Sequence, residues 1–306
     1  MGQIINNLKN NRKLQIFFLL ILIGFSSLIF IYFRTNPVLP QLAIHFLDDV
    51  RLPDSGEKVL IFVPHPDDET IAAGGYIIES MKRDAEVYIV LITDGNRRNL
   101  RDLRYMEFVN ATGILSVPEE NLIFLEYPDS QLARQNPVEL ENIFSQQIEL
   151  YQPAIIIYPH PDDSHQDHST TGMLLEKILD DKVIRFQYLE NIIELGELIK
   201  EEVLLEYSEM EKYIKNFSGY KYIVHHRSFP HPKRYAPDYY VLPPLDLITL
   251  EGGWEKLLLP ESIKERKEIA LRAYMSQLRN PLLRNLLLAS IRENEIFAIY
   301  CRPQTA

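Results

Sequence analysis

The chain has 306 residues, of which 46% are hydrophobic and 25% are charged, so it can bury a large core and is not typical of a disordered protein. Its formal net charge of −11 argues against a basic face for sequence-independent binding of nucleic acid, and no nucleic-acid partner is expected. The single cysteine, Cys301, excludes an intrachain disulfide and a cysteine-based zinc site, so a metal would be held by histidine and carboxylate side chains.

The N-terminus differs in composition from the rest of the chain. Residues 1–13 contain three basic residues and no acidic one, and residues 14–33 are an uncharged, mainly apolar run of 20 residues. At about 1.5 Å per residue, such a helix spans the roughly 30 Å hydrocarbon core of a bilayer. We therefore expect residues 1–34 to be a cytoplasmic tail and a single-pass transmembrane helix, with the chain after Arg34 outside the cytoplasm. A cleaved signal peptide is the alternative.

The remaining chain is expected to contain one linker and one domain. Residues 35–57 hold three prolines and no regular apolar period, which is typical of a linker, and residues 58–306 are expected to form the domain. Strands are predicted at 59–63, 86–92, 121–127 and 154–158, and helices at 70–84, 99–114 and 137–151. This alternation predicts an α/β fold with a doubly wound, mostly parallel sheet sandwiched by helices, in a Rossmann-like arrangement.

The pattern is weaker in the second half of the domain. We predict one or two acidic helices at 189–217, a strand at 221–227, an ordered loop at 229–247, a helix at 261–277 and a strand at 296–302. His225, His226 and Arg227 end one of these strands, and we expect them to be surface residues rather than part of a pocket.

Two apolar runs end in the same five residues, Pro-His-Pro-Asp-Asp, at 64–68 and 159–163. In the first, His65, Asp67 and Asp68 follow a predicted strand, at the edge where an open parallel sheet binds ligands. Adjacent carboxylates repel each other unless a divalent metal compensates them. One carboxylate and the imidazole can then bind the metal, and the other carboxylate can transfer protons. The alternative is a polar turn that caps the next helix.

The second stretch is denser in metal-binding side chains. Residues 159–168 contain three histidines and three aspartates, and they also follow a predicted strand. We therefore expect the two stretches to meet across one crevice. Two histidines, one aspartate and a water are the usual open coordination of a catalytic zinc. A solvated loop is the alternative.

Both stretches resemble the motifs of the PIG-L/LmbE-like zinc-dependent N-deacetylases, which remove acetyl groups from N-acetylglucosamine-type amino sugars. Residues 64–69 match the first motif, (P/A)-H-P-D-D-E, and residues 165–168 match the second, H-P-D-H, with Gln166 in place of proline. The resemblance implies an LmbE-like fold. The second Pro-His-Pro-Asp-Asp lies just upstream of the second motif, and His160 and Asp162 within it are expected at the rim of the site.

The same resemblance implies roles for single residues. The zinc ligands are expected to be His65, Asp68 and His168. Asp67 is expected to be the general base that takes a proton from zinc-activated water, and a protonated His165 is expected to stabilise the oxyanion. Ferrous iron suits the same ligands as zinc.

Further residues are implied around this set. Asp163 and Asp167 are expected to orient the metal-binding histidines. Arg104, in an R-x-x-E helix with Glu107, and Asp129, in a turn, are expected to hold sugar hydroxyls or a phosphate. The alternatives are an ion pair between Arg104 and Glu107 and a plain turn residue at Asp129.

The implied function is removal of an acetyl group from an amino sugar by a membrane-anchored, extracytoplasmic enzyme. The sugar would belong to a polysaccharide, a glycolipid or a glycoside, and an anchor favours a lipid-linked or cell-surface substrate. Two other functions remain open. One is a metal-dependent phosphoesterase acting on a sugar phosphate, which a second metal would favour. The other is a non-catalytic carbohydrate-binding protein with the same fold.

Overall fold

The computed structural model describes residues 12–35, 39–96, 99–194, 201–227, 229–248 and 253–301. The chain divides into two compact units, residues 1–39 and 40–306. The first unit contains helix α1 (Arg12–Thr35). Among the described residues, no helix has both the length and the apolar character needed to cross a membrane. The transmembrane helix predicted at 14–33 is therefore not confirmed, and the side chains of its last part, from 29 onward, lie outside the described residues.

The second unit is built on one eight-stranded sheet. Its strands are β1 (Asp48–Asp49), β2 (Lys58–Val63), β3 (Glu86–Thr93), β4 (Leu122–Tyr127), β5 (Ile155–Pro159), β6 (Ser218–Tyr222), β7 (Trp254–Leu258) and β8 (Asn294–Ile299). They lie in the order β1-β7-β8-β6-β5-β2-β3-β4. Strand β8 is antiparallel to β6 and β7, and the other described pairs are parallel. The predicted mostly parallel α/β sheet is confirmed.

Helices connect most of these strands. They are α2 (Asp68–Lys82), α3 (Arg101–Ile114), α4 (Pro137–Tyr151), α5 (Gln166–Glu194), α6 (Glu201–Asn216), α7 (Leu245–Ile248), α8 (Glu261–Arg272), α9 (Met275–Leu278) and α10 (Pro281–Ala289). The helix predicted at 261–277 is thus two helices, α8 and α9. Strands β1 and β7, the first part of α5 and helices α7 and α10 have no counterpart among the predicted elements.

The strand predicted at 221–227 is shorter and begins earlier than expected. Strand β6 ends at Tyr222, because the backbone N–H groups of Val224 and His225 donate to a side chain, the Asp163 carboxylate, at 2.9 Å each. The end of this strand is therefore tied to the loop that follows β5.

Strand β2 shows why the sheet is covered on both faces. Val59, Ile61 and Val63 pack into one hydrophobic core, and Leu60 and Phe62 pack into another. Successive strand residues point to opposite faces, so a continuous apolar run fits a sheet with helices on both sides.

The strand order reverses at β2, which lies between β3 and β5. In open α/β sheets, ligands bind at such a reversal, beyond the carboxyl ends of the strands. The loops that leave β2 and β5 carry the two Pro-His-Pro-Asp-Asp stretches. Helix α5 packs closely on this edge, because a Cβ at Gly172 would lie 2.4 Å from the Pro159 carbonyl oxygen.

Candidate functional site

The segments that follow β2 and β5 bring three predicted ligands into one cluster. His65 Nδ1 lies 3.2 Å from His168 Nε2 and 3.4 Å from Asp68 Oδ2. His168 Nε2 and Asp68 Oδ2 are 3.1 Å apart. Donor atoms bound to zinc at about 2.0–2.1 Å in a tetrahedral site are separated by roughly 3.3 Å. The donor set therefore fits a tetrahedral metal with one position left open.

The outer nitrogen of His65 faces Asp167, with 3.0 Å between Nε2 and Oδ2. The Asp167 carboxylate also accepts the backbone N–H groups of Ser130 (2.7 Å) and Leu132 (3.1 Å) in the loop after β4. Asp167 thereby joins the first turn of α5 to that loop and orients the His65 ring between them. This is the arrangement expected of a residue that supports a metal-binding histidine.

Asp163 has the corresponding position behind His168. Its Oδ2 atom lies 3.4 Å from His168 Nδ1, and the carboxylate accepts the N–H of His165 at 2.9 Å as well as those at the end of β6. Burial opposes ionisation, but His168 and these hydrogen bonds outweigh it and lower the pKa of Asp163 to about 2. The carboxylate is therefore an anion that favours the proton on His168 Nδ1 and leaves Nε2 for a metal.

Charge in the cluster is arranged for metal binding. Burial opposes the ionisation of Asp68, yet the charges and hydrogen bonds of His168 and His65 hold its pKa well below the usual value. Burial also opposes protonation of His65, but hydrogen bonds to Asp167 and Asp68 raise its pKa to about 9. The charge of the anionic Asp68 thus raises the pKa of both imidazoles beside it, those of His65 and His168. A divalent cation would displace their protons.

Asp67 lies beside the cluster in a strained backbone conformation. Its φ of 124° and ψ of −25° are unfavourable for a residue with a side chain, and strain of this kind is concentrated at functional sites. Burial raises the pKa of Asp67 to about 8, although the charge of Arg104 opposes the shift. A carboxylate with a pKa near neutrality can both accept and return a proton.

Arg104 holds the turn that contains Asp67. Its guanidinium donates to the carbonyl oxygens of Pro66 at 2.7 Å and Gly95 at 3.2 Å, and it lies 3.4 Å from carboxylate oxygens of both Asp67 and Asp129. The ion pair with Glu107, considered from the sequence, is wrong, because Glu107 accepts the N–H and O–H groups of Ser276 at 2.7 and 2.6 Å.

His165 lies at the edge of the cluster. Its Nδ1 accepts the backbone N–H of Asp167 at 3.2 Å, so in the neutral ring the proton is on Nε2. Burial and the neighbouring His65 and His168 lower the pKa of His165, which favours the neutral ring. The expected protonated state of His165 is therefore not the one that this geometry favours.

His225 belongs to the site, and the expectation of a surface residue is wrong for it. Its ring centroid lies 4.9 Å from that of His168 and 5.2 Å from that of His165. The signal for this position is that β6 lies beside β5, so the two strands end at the same edge of the sheet. His226 points elsewhere, with its Nε2 at 3.4 Å from Asp246.

Three groups of donors in the described part of the chain could each hold an ion. They are His65–His165–His168, Asp68–His168–His225 and His65–Asp129–Asp167. Every group includes His65 or His168, so they describe one cluster. The expectation for His160 at the rim is wrong, because His160 is fully buried with its ring stacked on Trp254. Asp162 is exposed.

The cluster opens into a cleft of about 320 Å³. Its polar lining includes His65, Asp67, Asp68, Arg104, Asp129, His165, His225, Ser276, Gln277 and Asn280. Its aliphatic lining comprises Ile71, Leu100, Val224, Leu283, Leu286 and Leu287. The predicted substrate residues Arg104 and Asp129 thus both border this cleft.

Comparison with known proteins agrees with this site. Residues 60–179 match the family model described as "PIG-L: GlcNAc-PI de-N-acetylase". A probable N-acetyl-alpha-D-glucosaminyl L-malate deacetylase 2 of Bacillus anthracis is 30% identical over 134 residues, which are 40% of this chain and 58% of that protein. An N-acetylglucosaminyl-phosphatidylinositol de-N-acetylase of Bos taurus is 25% identical over 105 residues, 33% of this chain and 42% of that protein.

The fold also has a solved counterpart. A deacetylase triple mutant from the teicoplanin biosynthetic pathway aligns with 79% of this chain and 97% of its own, with a TM-score of 0.50 and 13% identity. At this identity the likeness concerns the fold alone. The matched segments span less than two thirds of both curated relatives. The match to the family model includes residues 64–69 and residues 165–168. Residues 60–179, which lie within the compact unit of residues 40–306, therefore match the PIG-L family.

Proposed function

We propose that the chain is a metal-dependent hydrolase that removes the N-acetyl group from an N-acetylglucosamine-type amino sugar. The observation that carries this proposal is the convergence of His65 Nδ1, Asp68 Oδ2 and His168 Nε2 at 3.1–3.4 Å, beside a carboxylate outside that set, Asp67. A protein that only binds sugar would need neither the strained backbone at Asp67 nor the carboxylates that orient His65 and His168. Both curated relatives are named as deacetylases, which agrees with this reaction.

The metal is proposed to be zinc or ferrous iron, held by His65, Asp68 and His168. Such an ion would act as a Lewis acid and lower the pKa of a bound water to about 7. Asp163 and Asp167 hold the two histidine rings so that one nitrogen of each faces the metal position.

Asp67 is proposed to be the general base. It would take a proton from the attacking water and return it to the departing amine of the sugar. Its pKa of about 8, raised by burial, allows both steps near neutral pH. Arg104 and the strained turn hold the carboxylate in place.

His165 is proposed to donate its Nε2–H to the oxyanion that develops on the acetyl oxygen. Because Nδ1 accepts the Asp167 N–H, the neutral ring already carries this proton, and no extra proton is required. A donor of this kind contributes about 10²–10³-fold to the rate in other hydrolases.

Substrate contacts are proposed for Asp129 on the cleft surface. Arg104 is largely occupied by backbone carbonyls, so its role is to fix Asp67 and Asp129 more than to bind a phosphate. A panel of substrates would distinguish an amino sugar in a polysaccharide from one in a lipid-linked or a small glycoside.

The test uses the full chain loaded with Zn²⁺ or Fe²⁺ and a panel of N-acetylglucosaminides with and without a lipid aglycone, together with sugar phosphates. We expect acetate release that a chelator stops and added metal restores. Phosphate release without acetate would replace this proposal by the phosphoesterase. Sugar binding without release of either product would replace it by the non-catalytic protein.

A further inference from the structure

Helix α2, which begins with the proposed metal ligand Asp68, is broken after its first turn. Ala73 has φ −135° and ψ 16°, which are not helical values. In an unbroken α-helix, the carbonyl of Ile71 would accept the N–H of Gly75. The break lies where these two groups would meet, so the first turn of α2 is set at its own angle to the rest of the helix.

A buried ion pair binds both of these backbone groups. Lys267 Nζ donates to the Ile71 carbonyl oxygen at 2.9 Å, and Glu295 Oε1 accepts the Gly75 N–H at 2.7 Å. The pair is closed by 2.6 Å between Lys267 Nζ and Glu295 Oε1, and Glu295 Oε2 accepts the N–H of Tyr76 at 2.9 Å. The ion pair is therefore inserted into the hydrogen-bond ladder of α2.

The helix is shaped to receive this pair. The side chains of Lys267 and Glu295 are 1% and 3% exposed. A Cβ at Gly74 would lie 3.1 Å from Lys267 Cγ, and a Cβ at Gly75 would overlap Leu259 Cδ2 and would lie 3.2 Å from Glu295 Cδ. Side chains at these two positions would crowd the ion pair, and the glycines leave room for it.

Stability alone is a poor reason for such an arrangement. Removing two charges from water is costly, and well-packed apolar residues often replace a buried ion pair without loss of stability. An apolar pair, however, offers no donor to the Ile71 carbonyl and no acceptor to the Gly75 and Tyr76 N–H groups. These groups would then be satisfied most simply by straightening α2, which would move its first turn.

We infer that Lys267 and Glu295 are positioning residues: their ion pair fixes the break in α2 and so holds Asp67 and Asp68 in the geometry needed for metal binding and proton transfer. The two residues lie on α8 and β8, outside the segment 60–179 that matches the family model. The C-terminal part of the domain thereby completes the site formed by the N-terminal motifs. This inference rests on the proposed metal site.

The test replaces both charges in the double variant Lys267→Met/Glu295→Met. A matched control is Lys264→Met/Glu293→Met, because Lys264 lies one turn earlier on α8 and pairs with Glu293 at the same 2.6 Å. For each full-length protein we would measure the melting temperature, the Zn²⁺ dissociation constant by competition with a chromophoric chelator, and the visible spectrum of the Co²⁺ form.

The expected result separates positioning from stability. The Lys267/Glu295 variant should melt within about 5 °C of the native chain. It should bind Zn²⁺ about 10–100-fold more weakly, as when other supports of a metal site are removed, and its Co²⁺ spectrum should change. The control should keep the native affinity and spectrum. Native affinity and spectrum in the Lys267/Glu295 variant, or an equal loss in the control, would overturn the inference.

If the double variant does not fold, Glu295→Gln decides the question. An amide keeps the shape and one acceptor but lacks the charge and the second acceptor, so Zn²⁺ affinity should still fall, and native affinity would overturn the inference. Zn²⁺ binding by the native chain distinguishes failure of this inference from failure of the proposed function. If it binds no Zn²⁺, the proposed function fails and this inference fails with it. If it binds Zn²⁺ and the variants bind equally well, only this inference fails.

Discussion

His65 Nδ1 lies 3.2 Å from His168 Nε2, although 103 positions separate the two residues in the chain. Strands β2 and β5 are adjacent and parallel, so the loops that leave their carboxyl ends meet where the strand order reverses. With Asp68 between them, the two imidazoles form the donor set on which the proposed chemistry depends. The distance between these two nitrogens is therefore the central geometric fact of the site.

The donor set can be tested by comparing two histidines. His168→Ala should lose the metal, because it removes a donor that lies 3.1 Å from Asp68 Oδ2. His225→Ala should keep one metal per chain, because its ring lines the cleft without belonging to the proposed set. Metal content after gel filtration checks both. Loss of metal in His225→Ala with retention in His168→Ala would instead favour a set centred on His225.

The support behind His168 should be visible in metal affinity. Asp163→Asn removes the negative charge 3.4 Å from His168 Nδ1, and we expect the Zn²⁺ dissociation constant to rise about 10–100-fold. Asp162→Asn is the matched control, since the neighbouring carboxylate is 57% exposed and faces solvent. Equal dissociation constants for the two variants, measured by chelator competition, would contradict the role given to Asp163.

Arg104 is expected to be irreplaceable by lysine. A single ammonium group cannot bind the Pro66 and Gly95 carbonyls together, so the turn that holds Asp67 should shift. We expect Arg104→Lys to lower kcat by about 10²-fold, the effect of a misplacement near 1 Å. One buried carbonyl group would lose its hydrogen-bond donor, which should lower the free energy of unfolding by about 1–3 kcal/mol.

A control for this substitution is available on the same helix. Arg101→Lys changes a half-exposed arginine paired with Glu126, and it should alter neither quantity measurably. Steady-state kinetics and denaturant unfolding check both variants. A kcat of Arg104→Lys equal to that of Arg101→Lys would show that the clamp on Pro66 and Gly95 is not needed.

His165 gives a prediction about hydrogen bonding. His165→Gln would retain a donor near the cleft, whereas His165→Ala would remove it, so the alanine variant should have the lower kcat, by about 10²–10³-fold relative to the native chain. Metal content should stay native in both variants. If His165→Ala lost the metal as well, His165 would have to be counted among the ligands.

The centre of the site was predictable from the sequence because its signals are local. Strand β2 is buried on both faces and forms a continuous apolar run in the sequence, and the residues proposed to bind metal follow it directly. Strand β5 is buried in the same way, and the stretch that leads to His168 follows it. The sequence pattern therefore predicts that the two stretches meet in one crevice, and the resemblance to the family implies His65, Asp68 and His168 as the ligands within them. The folded chain brings these three side chains together there.

Other features depend on contacts that no local pattern reveals. His225 reaches the cleft because the Asp163 carboxylate takes the N–H groups after β6, which a strand pattern does not encode. Lys267 resembles a surface residue of a helix, since charged side chains are rarely buried. Its buried position depends on the ion pair with Glu295, which is 28 residues away along the chain. The location of residues 58–306 outside the cytoplasm stays a prediction.

The most direct test of the account is acetate release by the metal-loaded full chain compared with its Asp67→Asn variant. Asparagine keeps the size of Asp67 but cannot accept a proton, so we expect one metal per chain in both proteins and acetate release lowered by about 10²–10⁴-fold in the variant. Undiminished acetate release by Asp67→Asn, with the metal still bound, would contradict the central claim.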